Sequence, residues 1–122
     1  MHKSIQIILI TLFALIVTQL KSQMSYQDEE GATHLLDKIS LADLEIKPYD
    51  EWYISGITEF DPSIKMDIHD LLQDVTVKVF MATWCGDTKR HLPTFIKTWQ
   101  VAGLSEDQLE IVAIHLEDGK YK

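Results

Sequence analysis

Cys85 is the only cysteine among 122 residues, and it stands in the stretch Thr83-Trp84-Cys85-Gly86-Asp87-Thr88-Lys89-Arg90. Thiol chemistry needs the thiolate, which is favoured where a sulfur lies at a helix start and unpaired backbone N–H groups point at it. The flanking residues supply that setting. Residues 75–81 are rich in β-branched side chains, and beyond Asp87 the apolar residues Leu92, Phe95, Ile96 and Trp99 recur at helical spacing. The pattern predicts a strand running into a helix over residues 87–100, with Cys85 at the joint.

Each neighbour of the thiol has more than one reading. The Thr88 hydroxyl, three residues on, either hydrogen-bonds the thiolate or simply caps the first helical turn. Asp87 complements the helix dipole yet opposes a nearby thiolate by like charge. Lys89 and Arg90 either offset that charge or form an ordinary solvated basic pair, which is the simpler account. Trp84 either flanks the sulfur or packs against the sheet edge. Pro93 withdraws a helical hydrogen bond and predicts a kink. For Cys85 itself the alternative is a buried structural thiol.

A strand, then Trp-Cys-Gly-x-x, then a helix with a proline eight residues after the cysteine resembles the thioredoxin superfamily. More narrowly, W-C-G-D-T-K-R-x-x-P-x-F is similar to a group of exported thioredoxin-like proteins of bacterial envelopes, whose motif usually reads W-C-G-D-S-x-R. Thr88 stands where that group has serine and where ordinary thioredoxins have their second cysteine. The resemblance covers residues 75–115 and extends, less specifically, back to Leu41. It implies an α/β, thioredoxin-like fold and thiol–disulfide exchange with Cys85 and Thr88 as the catalytic pair. Trp84, Gly86 and Asp87 would meet the substrate, Lys89 and Arg90 would tune the site, and no cofactor or metal is implied.

A dithiol enzyme resolves its mixed disulfide with a second cysteine, which this chain lacks. The chemistry implied is therefore monothiol exchange, acting as oxidoreductase or isomerase on protein or small-molecule disulfides with an external thiol as reductant. The other class of function is a binding module, a thioredoxin scaffold that holds a partner without redox cycling.

Residues 1–22 read as a secretory signal peptide. Lys3 precedes eleven residues, 7–17, that are almost wholly apolar, and a polar end follows at Thr18, Gln19 and residues 21–23. The run is short of the ~20 residues of a membrane span. No small-x-small cleavage triplet is present, and Ser22 is the preferred last residue. An uncleaved signal anchor is the only membrane attachment envisaged. Export to the periplasm or cell envelope would put a free thiol in an oxidising compartment.

The formal charge is −8, and losing residues 1–23, with Lys3 and Lys21 and no acid, takes it to −10. That balance argues against nucleic-acid binding and against docking to anionic lipid. His34, His69, His91 and His115 show no metal-ligand spacing with Cys85, so scattered surface or half-buried histidines are expected. Phosphate-binding, dinucleotide and Ser-His-Asp patterns are missing.

Residues 23–40 are expected as a polar linker and a segment of uncertain structure, the acidic run Asp28-Glu29-Glu30 marking 22–32 as flexible. The thioredoxin-like domain is placed at 41–122. Ser40 caps residues 41–44, residues 49–54 form a helix ended by Gly56, and Ile64, Ile68, Leu71 and Leu72 mark an amphipathic helix. Trp52, Tyr53 and Phe60 are core or lid residues. Residues 101–105 stop the active-site helix, and 109–115 form a buried strand. Strands 75–81 and 109–115 thus make one right-handed, parallel βαβ unit preceded by helical segments. The C-terminal hairpin and last helix that the resemblance implies are absent, as is the proline that would face the cysteine. The expectation is an incomplete fold, or a fragment of a longer protein.

Overall fold

The computed structural model describes residues 23–63, 68–117 and 120–121. Residues 1–22, expected above as a signal peptide, lie outside them. Among the described residues no helix is long and apolar enough to cross a membrane.

The architecture is mixed α/β. Strands β1 (Ser25–Gln27) and β2 (Thr33–Leu35) form an antiparallel hairpin, and β3 (Asp37–Ile39) leads to a 3₁₀ turn at Leu41–Leu44. Helices α1 (Asp50–Glu59) and α2 (His69–Leu72) follow, then β4 (Val77–Met81), α3 (Gly86–Val101), a second 3₁₀ turn at Glu106–Gln108 and β5 (Leu109–Ala113). The central strand is β5, antiparallel to β3 and parallel to β4, with α3 crossing between the parallel pair.

Register aligns Ile39, Ile111 and Val79 in one row across the sheet, and Asp37, Ala113 and Met81 in another. Ile39, Met81, Ile111 and Ala113 bury against Leu92 and Ile96 of α3, Tyr53 of α1, and Leu35, Leu41, Leu44 and Tyr49. Lys78 and Phe80, alternating with these, stay exposed. Glu110 joins that outer side, meeting Lys78 at 2.8 Å and Lys38 at 3.8 Å.

The strand before Cys85 is shorter than expected, beginning at Val77, and β5 ends at Ala113 rather than at His115. Helix α3 is continuous through Pro93 and closes as the sequence predicts. Gly103 takes φ +73, its N–H donates to the Gln100 carbonyl at 3.0 Å, and the Leu104 N–H donates to the Trp99 carbonyl at 3.2 Å. A left-handed residue after the last turn satisfies the end carbonyls in this way, and glycine takes it without strain.

Four expectations need correction. Residues 23–32 are not a linker, because the Asp28 carboxylate builds a turn, accepting N–H bonds from Glu30 at 3.0 Å and Ala32 at 2.8 Å. Gly56 does not end a helix: α1 runs on to Glu59, and the glycine faces Pro93 of α3. The amphipathic helix over 64–72 reduces, among the described residues, to the single turn His69–Leu72, with Leu71 exposed; residues 64–67 lie outside them. After β5 a hairpin of two-residue strands is present, β6 (Leu116–Glu117) with β7 (Lys120–Tyr121), although it forms its own sheet apart from β3, β5 and β4.

Candidate functional site

The strand, loop and helix around Cys85 are fixed from both sides. Met81, Ala82 and Thr83 are buried, the Cys85 N–H donates to the Ala82 carbonyl at 3.0 Å, and the Lys89 N–H donates to the Cys85 carbonyl at 3.1 Å. Cys85 is thus the N-cap of the 16-residue helix α3, with extended backbone (φ −77, ψ 125), and the residue is half-buried.

The thiol sits below its ordinary pKa. The Thr88 backbone N–H favours the thiolate most, burial opposes it, and the Asp87 N–H and the Thr88 hydroxyl add to the lowering; the Asp87 charge raises it, as the weakest influence. No first-turn N–H makes a full cap hydrogen bond to the sulfur. The effect is that of several donors gathered near an anion at a helix start.

Thr88 carries both kinds of contact. Its Oγ1 accepts the Ala82 N–H at 3.3 Å, tying the first helical turn to the end of β4, while its own N–H and hydroxyl face the thiolate. Asp87 acts more through its backbone N–H than through its carboxylate. Lys89 and Arg90 are exposed on the helix and are not among the groups that shift Cys85. Gly86 opens the helix beside the sulfur, with nothing within 4 Å of where a Cβ would stand. Trp84 is 38% exposed.

A second group of residues stands behind the loop, and nothing in the spacing pointed to it. His34 is buried; its Nδ1 lies 3.1 Å from Thr83 Oγ1, and its Nε2 lies 3.0 Å from Asp28 Oδ2. Thr83 Oγ1 also accepts the Leu35 N–H at 3.3 Å. The β1–β2 hairpin is therefore latched to the loop that presents Cys85. The Asp28 carboxyl is held below the usual carboxylate range, first by the His34 hydrogen bond and then by the Ala32 N–H. Tyr26 lies between the two imidazoles, its ring centroid 5.4 Å from His34 and 4.0 Å from His115. Asp28 lies in an acidic run and His34 stands isolated in the chain, so no local sequence signal marks this group.

An apolar groove lies between β4 and α3, lined by Phe80, Met81, Thr88, His91, Leu92 and Phe95 among others. Phe80 is 64% exposed there. Among the described residues no three His, Cys, Asp or Glu side chains converge as metal ligands. No family model, no curated protein and no solved structure matches this chain.

Proposed function

We propose that the chain is a monothiol thiol–disulfide exchange protein of thioredoxin-like architecture, acting as oxidoreductase or isomerase. The observation that carries this reading is the placement of Cys85: half-exposed, at the N-cap of a long helix that follows a parallel strand, with its thiol held below the ordinary value. Helix N-terminal cysteines of this kind are reactive because the N–H groups stabilise the attacking anion.

In the exchange, the Cys85 thiolate attacks one sulfur of a substrate disulfide. A new S–S bond forms to that sulfur, the old S–S bond breaks, and the second sulfur leaves as a thiolate that takes up a proton. In one route an external thiolate attacks the mixed disulfide at the Cys85 sulfur, releasing the bound substrate sulfur as a thiolate. A second external thiolate then attacks the external sulfur of the new Cys85 disulfide, freeing Cys85 and leaving the external thiol as its own disulfide. In the other route, a second thiolate of the same substrate attacks the mixed disulfide at the substrate sulfur and frees Cys85 directly. The first route is net reduction of the substrate by the external thiol; the second is isomerisation. Thr88 stabilises the attacking and leaving Cys85 sulfur, and Trp84 offers an exposed apolar surface beside it. Export through residues 1–22, to the periplasm or envelope, belongs to the same proposal, because disulfide substrates persist in oxidising compartments.

The test is a trap. The full chain is mixed with a peptide disulfide that carries a chromogenic leaving thiol, and adduct mass and thiol release are followed between about pH 5 and 9, a range that brackets thiol ionisation. One equivalent of thiol should appear with a Cys85–peptide adduct, faster on the acid side of neutrality than from a free cysteine, and not with Cys85→Ser. A rate profile that overlays free cysteine would sink the proposal.

A redox-inactive binding module is the second reading. The exposed Phe80 and the apolar groove beside it favour it, since uncovered apolar surface of this kind marks contact sites. Partner retention by Cys85→Ser with no exchange by the parent would select it.

A further inference from the structure

A cleft of about 250 Å³ lies beside the Cys85 loop, lined by Tyr26, Asp28, His34, Trp84, His115 and Leu116. Small-molecule sites usually run to roughly 300–1,000 Å³, so this one suits a single side chain. Its walls are mostly rings, and its chemistry has one sign. Asp28 is the acid, and among the described residues its carboxylate bonds His34 and the N–H groups of Glu30 and Ala32, with no lysine or arginine. The lining holds no lysine or arginine either.

His115 adds a further element. Among the described residues its Nδ1 is the one buried side-chain nitrogen or oxygen without a hydrogen-bond partner. That nitrogen is closed off from solvent, so an occupant of the cleft meets the face of the His115 ring rather than this atom. The field of Asp28 reaches across the cleft: burial first, then the Asp28 charge, push the Tyr26 hydroxyl above the usual phenol range, against the Trp84 side chain that bonds it.

Ring faces attract cations and a carboxylate pairs with them; a guanidinium or ammonium on an apolar stem uses both. An aromatic or aliphatic occupant would use the rings alone. The net charge of −8 draws in basic partners at longer range. We propose that this cleft binds the arginine or lysine side chain of the residue flanking the reacting sulfur in a polypeptide disulfide. This rests on the exchange chemistry assigned to Cys85. Trp84, which lines the cleft, directly precedes Cys85, and through that adjacency the occupant of the cleft is assigned to the residue beside the attacked sulfur, so that the site selects among disulfides by their neighbour.

Two measurements on the full chain separate this proposal from the one it rests on. In the first, acetyl-Gly-Arg-Gly-amide is titrated into Cys85→Ser, with citrulline and phenylalanine peptides as controls, and the Tyr26, His34, Trp84 and His115 ring signals are followed by NMR. The arginine peptide should shift those signals and bind about tenfold more tightly than either control. Equal affinities, shifts elsewhere or no binding overturn the proposal. In the second, exchange of the parent with Arg-Cys, citrulline-Cys and Phe-Cys reporter disulfides is timed. Arginine should raise the rate about tenfold, in line with the same cation–π and carboxylate contacts. Exchange with all three at one rate leaves Cys85 as assigned and overturns the cleft. Arginine-selective binding to Cys85→Ser with no exchange by the parent upholds the cleft and removes the enzyme.

Discussion

Gly56 of α1 touches the ring of Pro93 in α3 so closely that a Cβ at Gly56 would stand 2.5 Å from the Pro93 Cβ and 2.8 Å from its Cγ. Pro93 is fully buried, so the ring cannot swing away into solvent. Helices α1 and α3 pack directly on each other here, with no room between them for a further methyl group. Gly56→Ala should therefore destabilise the fold despite alanine's advantage of roughly 1 kcal/mol over glycine inside a helix. Overpacking of this kind costs about 1–3 kcal/mol. Urea unfolding should give a lower midpoint with an unchanged slope, and a midpoint equal to or above the parent's would show that the contact yields.

The lowered Cys85 pKa has two readouts. Alkylation by iodoacetamide should inflect below the ordinary thiol value of 9.0 in the folded chain, and Thr88→Val should move the inflection up by removing the hydroxyl that faces the sulfur. The same variant leaves the buried Ala82 N–H without its Thr88 acceptor, a loss of about 1–3 kcal/mol in stability. For linkage, the folded state holds the thiol proton less tightly than the unfolded chain does. The stabilisation from ionising Cys85 is therefore complete above pH 9.0 and vanishes as pH falls through the depressed folded value. The stability gap between parent and Cys85→Ala should widen with pH across that window. A flat gap would count against an activated thiolate.

Local pattern made Cys85 and α3 legible, because a β-branched run, a helical period and a glycine stop all act within a few residues of one another. The Asp28–His34–Thr83 link was not legible, since His34 and Thr83 stand 49 positions apart and nothing near either announces the other. Asp28 in particular lay in an acidic run that resembles a solvated linker, and only its two short-range N–H bonds reveal a turn. Gly56 misled for the same reason. A glycine in isolation ends helices, whereas here it makes room for a proline on another element.

The hairpin latch predicts an acid-sensitive segment. Asp28 is held below the usual carboxylate range by His34 and by backbone N–H groups, so its stabilising contribution is present above the unfolded value of 3.8 and is lost as pH falls through the lower folded value. Amide exchange in β1 and β2, corrected for its intrinsic pH dependence, should lose protection on that acid limb before β4 and β5 do. Asp28→Asn should remove the limb. His34→Ala should expose the same hairpin at neutral pH, with a stability loss of about 1 kcal/mol from the lost His34–Thr83 hydrogen bond, the Thr83 oxygen still accepting the Leu35 N–H, read as faster proteolysis near Tyr26. Loss of protection in β4 and β5 at the same pH as in β1 and β2 would mean the latch is not a separable unit.

Thr88→Cys is the most direct test of the geometry around the sulfur. Residue 88 is the third residue of α3, and its hydroxyl and N–H already face Cys85, so a thiol at 88 would start from the same side of the same turn. A disulfide between them needs Cβ atoms about 3.5–4.5 Å apart, a separation that an N-cap and a facing third residue can close with a small rotation. The oxidised variant should carry no free thiol, and the reduced variant, with no external thiol present, should release both sulfurs of a reporter disulfide as thiols where the parent stops at its mixed disulfide. Sulfur is a poor acceptor for the Ala82 N–H, so the reduced variant should lose about 1 kcal/mol of stability. Two thiols that stay free under oxidising conditions would show that the Cys85 side chain is directed away from the turn, and a thioredoxin-like mechanism would fail with it.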